Sequence, residues 1–584
     1  MTEKKTKQTK EADKQITKPT VHRNKPQSTR RKTPAKMPLR VIPVGGLHEI
    51  GKNMTLLEYG DDMIMIDCGM AFPDENMLGI DVVIPDFSYV VENAQKLRGV
   101  IITHAHEDHI GAIPYLLQQL DVPIFASKLT LGFIKHKLEE RNVAAKFQQI
   151  EPGDTFNLGC FKIEAIHITH SVADALCYCI ETPIGKVFHT GDFKVDFTPV
   201  DSDPIDLAKF AKLGKEGILF LMADSTNSGR KGYTPSERVV GLSLAHIFPN
   251  IKGRIIIATF SSNVHRLQKI IDIAAENGRK VAISGRSMEN TFAIATELGY
   301  LHVPANTIVD VSKIKSIPDN ELVVITTGSQ GEPMSALARM ASDEHKTVKI
   351  RPGDTIILSS TPVPGNEKSV TRIVNELLVQ GASVIYNDIA ETHVSGHACE
   401  EELKLIHSLL KPKFFMPVHG EVKHLISHAE IAKSLGMPEE NIVLAENGAV
   451  IELTKRSIKL TEERIPAHAV MVDGLGIGDV GSAVLNERKV LSEGGIIVVS
   501  ASFDSATGEL LAGPEIHTRG VVFVKEYRTL IEEAEDVMYY ALLEAVQEGK
   551  DKNGLRNLAK ETLRDFMFRK LGRNPIVLPI FLYD

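Results

Sequence analysis

Short apolar runs broken by Gly and Asp turns dominate the chain from Val41 to about Leu221. The runs are VIPVGG, MIMIDCG, VIITH, CYCIET, KVFHTGD and ILFLMADS. Each has strand length and most end on a polar residue, and helical spacing interrupts them only in places, notably after His109. This pattern predicts a β-sandwich faced by helices. From about Pro235 to Ile385 strands alternate with helices. RIIIATF precedes NVHRLQKIIDIAA, KVAISG precedes SMENTFAIATEL, ELVVITTGS precedes PMSALARM, and TIILSS precedes NEKSVTRIVNELL. That is a doubly wound α/β pattern in which each strand enters a Gly, Ser or Asn turn before its helix. Such turns gather backbone N–H groups and helix N-termini along one sheet edge, where anions bind. The alternation continues past His397 and His419 to about Ile451. After a variable stretch, GGIIVVSASF and GVVFV open a third unit. Helical stretches around Leu530–Val546 and Leu555–Leu571 follow, then the closing strand PIVLPIF.

A chain of 584 residues is too long for one core and implies three or more globular units. Its formal net charge of -8 gives no argument for a nucleic-acid partner. The distribution of charge does: residues 1–40 carry 13 Lys and Arg against Glu3, Glu11 and Asp13. With few large apolar residues, this stretch is expected to be a disordered arm. It reads equally well as a solubilising tail and as an RNA-binding arm. No apolar segment follows the basic stretch as a signal peptide requires, and no run approaches a membrane span. Five cysteines without a CxxC pair exclude a disulfide framework, and Cys177 and Cys179 alternate as core residues of a strand. The expected location is the cytoplasm.

The decisive run is Thr103-His104-Ala105-His106-Glu107-Asp108-His109, directly after the strand GVIIT. Three imidazoles and a carboxylate on one strand-to-helix loop can serve two adjacent cations. His104 and His106 alternate and reach one; Asp108 and His109 turn toward the other. Glu107 is expected to point outward. One loop cannot complete two sites, and His170 in HITHS, Asp192 in FHTGD and His419 in MPVHGE, each just after a strand, are the candidates to do so. Asp192 is the natural bridging carboxylate; His189 competes with it and is read as structural.

These successive motifs resemble those of the metallo-β-lactamase superfamily. The α/β insertion, ADSTN at 223–227 and SGHA at 395–398 resemble its β-CASP branch, which acts on nucleic acids. With GGLHEIGKN at 45–53 and the C-terminal unit, the chain is similar to bacterial ribonuclease J over roughly residues 40–584. The resemblance implies an αββα sandwich formed from 41–234 and 386–451, and a doubly wound β-CASP insertion at 235–385. A linker at 452–490 and a small α/β C-terminal domain at 491–584 complete it. It implies His104, His106 and His170 on one zinc, Asp108, His109 and His419 on the other, and Asp192 bridging. Manganese suits the same ligands, and magnesium is a further candidate for supporting activity. It further implies His397 as proton donor to the leaving ribose 3′-oxygen and Asp224 as the acid that orients it. Ser261, Ser262 and Asn263, with His393, Val394, Ser395, Gly396 and His397, are implied to hold the RNA backbone and a terminal 5′-monophosphate. Arg286 and Ser287 are weaker candidates for the same pocket. The implied activities are 5′→3′ exonucleolytic trimming and endonucleolytic cutting of single-stranded RNA, in rRNA processing and mRNA decay. The implied assembly is a homodimer or homotetramer, with an RNA-decay complex as a wider partner. Three rivals stand beside this reading: a small-molecule hydrolase of the same superfamily, a β-CASP DNA nuclease, and a non-catalytic scaffold.

Overall fold

The computed structural model describes residues 37–584 apart from 75, 201, 333, 363–365 and 524–526. The expected basic arm thus lies outside the described residues up to position 36. Its last two expected residues do not belong to an arm: Leu39 and Arg40 open the first strand, Leu39–Gly45. Leu39 and Val41 are fully buried there, so apolar burial sets the start of the fold earlier than the charge run suggested.

Two sheets pack face to face. The first runs in the order Ile458–Arg464, Ala449–Leu453, Leu39–Gly45, Met54–Tyr59, Asp62–Ile66, Leu97–Ile101, Ile124–Ala126, Phe147–Gln149. The second runs Phe414–Val418, Ile218–Asp224, Gly185–His189, Leu176–Thr182, Phe161–His167, Thr155–Leu158. The period-two alternation of each strand divides its side chains between two cores. Leu39, Val41, Ile64 and Ile66 meet Ile163, Tyr178, Ile180, Phe220 and Met416 between the sheets. Ile42, Val44, Met63 and Met65 face outward onto Leu131, Ile134 and Leu138 of the helix Lys128–Glu140. On the far side, Cys177, Cys179, Phe188, Leu221 and Phe415 meet Phe210, Leu213, Leu403, Ile406 and Ile431 of three helices. Burial of Cys177 and Cys179 matches their expected core role. The result is the expected αββα sandwich.

The insertion is an all-parallel sheet in the order Ile308–Val309, Lys280–Ser284, Leu322–Thr326, Ile255–Thr259, Thr355–Ser359, Ser383–Ile385. Helices cover both faces, so its central strands are continuous apolar runs with every residue buried, such as Ile255–Thr259. Its edge strands are short, which limits unpaired backbone. Because all strands are parallel, Thr259, Ser284, Thr326 and Ser359 end on one common edge.

The segment 452–490 is not a linker. Ile458–Arg464 extends the first sheet, Val470–Asp473 pairs with Val82–Ile84, and most of the helix Ser482–Gly494 follows. Beyond it, Ile496–Phe503, Leu510–Arg519 and Ile576–Tyr583 form a sheet. Its Ile497, Val499, Phe503, Val577 and Phe581 pack on Met538, Leu542, Leu563 and Met567 of the helices Arg528–Gln547 and Lys552–Leu571.

Candidate metal centre

His170, Asp192, Asp224 and His419 all sit at one edge of the second sheet, because the strands that lead to them run in the same direction. Gly185–His189, Ile218–Asp224 and Phe414–Val418 are parallel neighbours, and Phe161–His167 matches their direction across one antiparallel strand. The HAHEDH loop comes from Leu97–Ile101 of the opposing sheet. Three backbone bonds fix it: Asn53 N–H donates to Asp108 O, Cys68 N–H to His109 O, and Met70 N–H to Glu107 O. Gly69 allows this approach, since a Cβ there would lie 1.6 Å from Asp108 O. Glu107 turns away to Lys137.

The ring and carboxylate atoms form two four-residue groups that share Asp192, and Asp192 also lies in a smaller third group with Asp224 and His397. His104, His106, His170 and Asp192 offer ligand atoms within 4.8 Å of one another, and so do Asp108, His109, Asp192 and His419. In the first group His106 Nδ1 lies 3.0 Å from His104 Nε2 and 3.2 Å from His170 Nε2. In the second, Asp192 Oδ2 lies 3.2 Å from Nε2 of both His109 and His419, and Asp108 Oδ2 lies 3.1 Å from His419 Nε2.

The outer nitrogens decide what the inner ones can do. His170 Nδ1 donates to Gly396 O at 2.8 Å, and His109 Nδ1 donates to Asp67 Oδ2 at 2.8 Å. Thr103 Oγ1 donates to Asp67 and accepts from His104 Nδ1. Thr226 Oγ1 donates to Asp224 and accepts from His419 Nδ1. Each of these four outer nitrogens thus has a partner that holds its ring with Nε2 facing inward, while His106 turns Nδ1 inward instead. Converging lone pairs repel, and a divalent cation is what such a donor set accommodates. Burial keeps His104 and His170 well below the ordinary imidazole range and lowers His106 to about 4. At His109 and His419 burial acts in the same direction, but Asp192 and Asp108 outweigh it and hold protons on these rings. Those protons stand where a cation would displace them. The cluster is suited to binding metal ions.

His397 stands beside both groups, its ring centroid 5.2 Å from that of His170 and 5.5 Å from that of His419. Its Nδ1 lies 2.8 Å from Asp224 Oδ2. Burial opposes the imidazolium, yet Asp224 and Asp192 prevail, and the His397 pKa is raised. His189 is not in either group; its Nδ1 accepts from Gly191 N–H, a structural bond.

The other sequence candidates separate. Ser395 Oγ accepts from Asn227 and from His397 N–H, and Val394 is buried in the insertion's core. Gly396 has no room for a side chain, since a Cβ would lie 2.6 Å from His170 Cε1. Asn263 caps the helix Val264–Glu276 through Oδ1, while Ser261 and Ser262 are half-buried at the end of Ile255–Thr259. His393 faces Phe260 at 6.1 Å between centroids. Arg286 and Ser287 are exposed on the first turn of Arg286–Glu297, and among the described residues neither bonds to the His/Asp cluster. Sequence reasoning missed Asp67 and Asn53, which hold His109 and Asp108. Asp67 carried the same signal as Asp192, a carboxylate closing an apolar strand. It also missed Glu402, fully buried, which accepts N–H bonds from Val195, Thr234 and Cys399 and so ties the Asp192 loop to the His397 loop.

Comparison with known proteins meets this geometry along most of the chain. Residues 49–231 match the metallo-beta-lactamase superfamily, 252–377 the ribonuclease J beta-CASP domain, and 483–583 the ribonuclease J C-terminal domain. Residues 383–444 match the Zn-dependent metallo-hydrolase RNA specificity domain. The chain is 44% identical to ribonuclease J 1 of Streptococcus pyogenes, over 93% of this chain and 97% of that one. The chain belongs to the ribonuclease J family. Ribonuclease J of Thermus thermophilus is 41% identical over 93% of this chain and 95% of its own length. Ribonuclease J2 of Bacillus subtilis is 38% identical over 93% and 98%. A solved structure from Enterococcus faecalis, titled a protein of unknown function, shares the fold at TM-score 0.50 and 16% identity, covering 71% of this chain and all of that one. Among the described residues no helix is long and apolar enough to cross a membrane.

Proposed function

We propose that this member of the ribonuclease J family is a two-metal phosphodiesterase that cuts single-stranded RNA, leaving a 5′-phosphate and a 3′-hydroxyl. One observation carries the reading: seven side chains from separate stretches of sequence converge on two ligand groups that share the carboxylate of Asp192. His104, His106 and His170 would hold one cation and Asp108, His109 and His419 the other, with Asp192 between them. The nitrogen-rich ligands favour zinc, with manganese or magnesium as alternatives for activity. When bound, such a pair lowers the pKa of a water and neutralises charge on the scissile phosphate.

The chain's own residues do the rest. Asp224 holds His397 by Nδ1, so the Nε2 proton is free for the departing ribose 3′-oxygen. Asp67, Thr103, Thr226 and Gly396 O keep the ligand rings from turning. The corner at 393–397 and the strand end at 261–263 would hold the RNA backbone and a terminal 5′-monophosphate. Residues 261–263 follow the end of Ile255–Thr259, and Thr392, beside the 393–397 corner, bonds to Leu358 and Ser359 at the end of the neighbouring strand. A terminal pocket favours 5′→3′ trimming, and internal RNA threaded past it allows endonucleolytic cuts. The C-terminal unit leaves Leu578, Ile580 and Leu582 exposed, alternating with residues packed on its helices, which suits assembly as a homodimer or homotetramer.

The test compares 5′-monophosphorylated, 5′-triphosphorylated and 5′-hydroxyl RNA of one sequence, with and without chelator. Chelator abolishes cleavage, and the monophosphate is consumed fastest. Equal rates on the three ends would remove the terminal pocket, and cleavage undiminished by chelator would remove the metals.

A further inference from the structure

Arg266 is fully buried and links the two corners read as phosphate contacts, its backbone meeting one and its guanidinium the other. Its backbone N–H is capped by Asn263 Oδ1 at 3.0 Å. Its Nε and Nη2 pair with the two oxygens of Glu237 at 2.7 and 2.9 Å. Its Nη1 reaches Ser359 O at 2.7 Å and His393 Nδ1 at 3.0 Å. A guanidinium has donors and no acceptor, so His393 Nδ1 must accept. A proton on Nδ1 would point at a cation that Glu237 and Ser359 O hold in place. The ring proton of a neutral His393 therefore sits on Nε2, and among the described residues Nε2 has no partner.

We propose that Arg266 is a positioning residue that fixes His393 as the neutral Nε2–H tautomer, presenting a single outward donor to a phosphate oxygen. The inference rests on the reading of the 393–397 corner as a phosphate contact. The charged groups that face His393 are the cations of Arg266, Lys194 and Arg230, while Glu237 is engaged by Arg266. Burial and these three cations hold the His393 pKa well below the ordinary imidazole range. Discrimination at this corner thus comes from a donor of fixed direction, with no charge that titrates near neutrality.

Two-bond proton–nitrogen spectra of the full chain, metal-loaded and labelled at its histidine rings, test the tautomer. The His393→Asn spectrum identifies the resonance. Wild type shows a protonated Nε2 and a bare Nδ1, unchanged from about pH 6 to about pH 8. Arg266→Met mixes the tautomers or titrates, and Arg266→Lys, which keeps a donor, restores much of the wild-type pattern. A wild-type ring carrying the proton on Nδ1, or charged at neutral pH, overturns the proposal, and this result needs no variant to fold. The kinetic arm compares KM for RNA with a 5′-monophosphate and a 5′-hydroxyl. The ratio worsens roughly tenfold in Arg266→Met, mostly through KM, as for one lost bond to a charged group. If the tautomer is as stated but His393→Asn leaves the KM ratio at the wild-type value, the phosphate reading of the corner fails, and the proposed donor role fails with it.

Discussion

His397 and Asp224 form the pair on which the leaving group depends in this account. Their bond is 2.8 Å and Asp224 is fully buried, so the carboxylate has no competing solvent. Replacing His397 by Gln is expected to lower kcat by about 10²- to 10⁴-fold on ordinary RNA. A substrate whose bridging 3′-oxygen is sulfur needs no proton to depart, and it should recover most of that loss. Equal losses on both substrates would assign His397 to anion binding instead. Gly396 makes a second residue-scale test, because its carbonyl orients His170 and a methyl group has no space beside that ring. Gly396→Ala should weaken metal affinity roughly 10- to 100-fold by titration, the usual effect of losing a ligand's outer hydrogen bond. Unchanged affinity would show that His170 does not depend on this carbonyl.

At the scale of elements, the strands that carry the site were legible in sequence because they are apolar on both faces and end on a polar residue. HAHEDH was legible because its ligands are nearly consecutive. Lone partners were not. Asp67 and Glu402 act across 42 and 207 positions of chain, and no local pattern marks such a pair. The strand Ile458–Arg464 was missed because it is an exposed edge with most side chains in solvent, so it lacks the apolar alternation that announces a strand. The first sheet carries its own ion cluster. Glu58 on Met54–Tyr59 accepts from Lys96 and Tyr89 at 2.6 Å each and from Arg40 at 3.1 Å. Burial alone would raise the Glu58 pKa, but these bonds and cations lower it below 4.5. A depressed carboxyl stabilises the fold above its unfolded pKa, and that contribution is lost as pH falls through the folded value. Urea unfolding of Glu58→Gln should therefore show a lower stability at neutral pH and a shallower loss below about pH 4.5 than wild type. Parallel acid limbs for the two proteins would rule out Glu58 as a source of acid lability.

For the whole molecule, the central claim is that two sheets and an inserted α/β domain bring one set of side chains together to bind a pair of cations. Fold and family do not by themselves require occupancy, since a scaffold has the same architecture. Metal analysis of the full chain, stripped with chelator, reloaded with zinc or manganese and freed of excess ions, tests the claim most directly. Wild type should hold close to two divalent cations per chain, and Asp192→Ala distinctly fewer, with nuclease activity tracking the content. A wild-type chain that binds none under these conditions, or an Asp192→Ala chain that binds and cleaves as wild type does, would contradict the account.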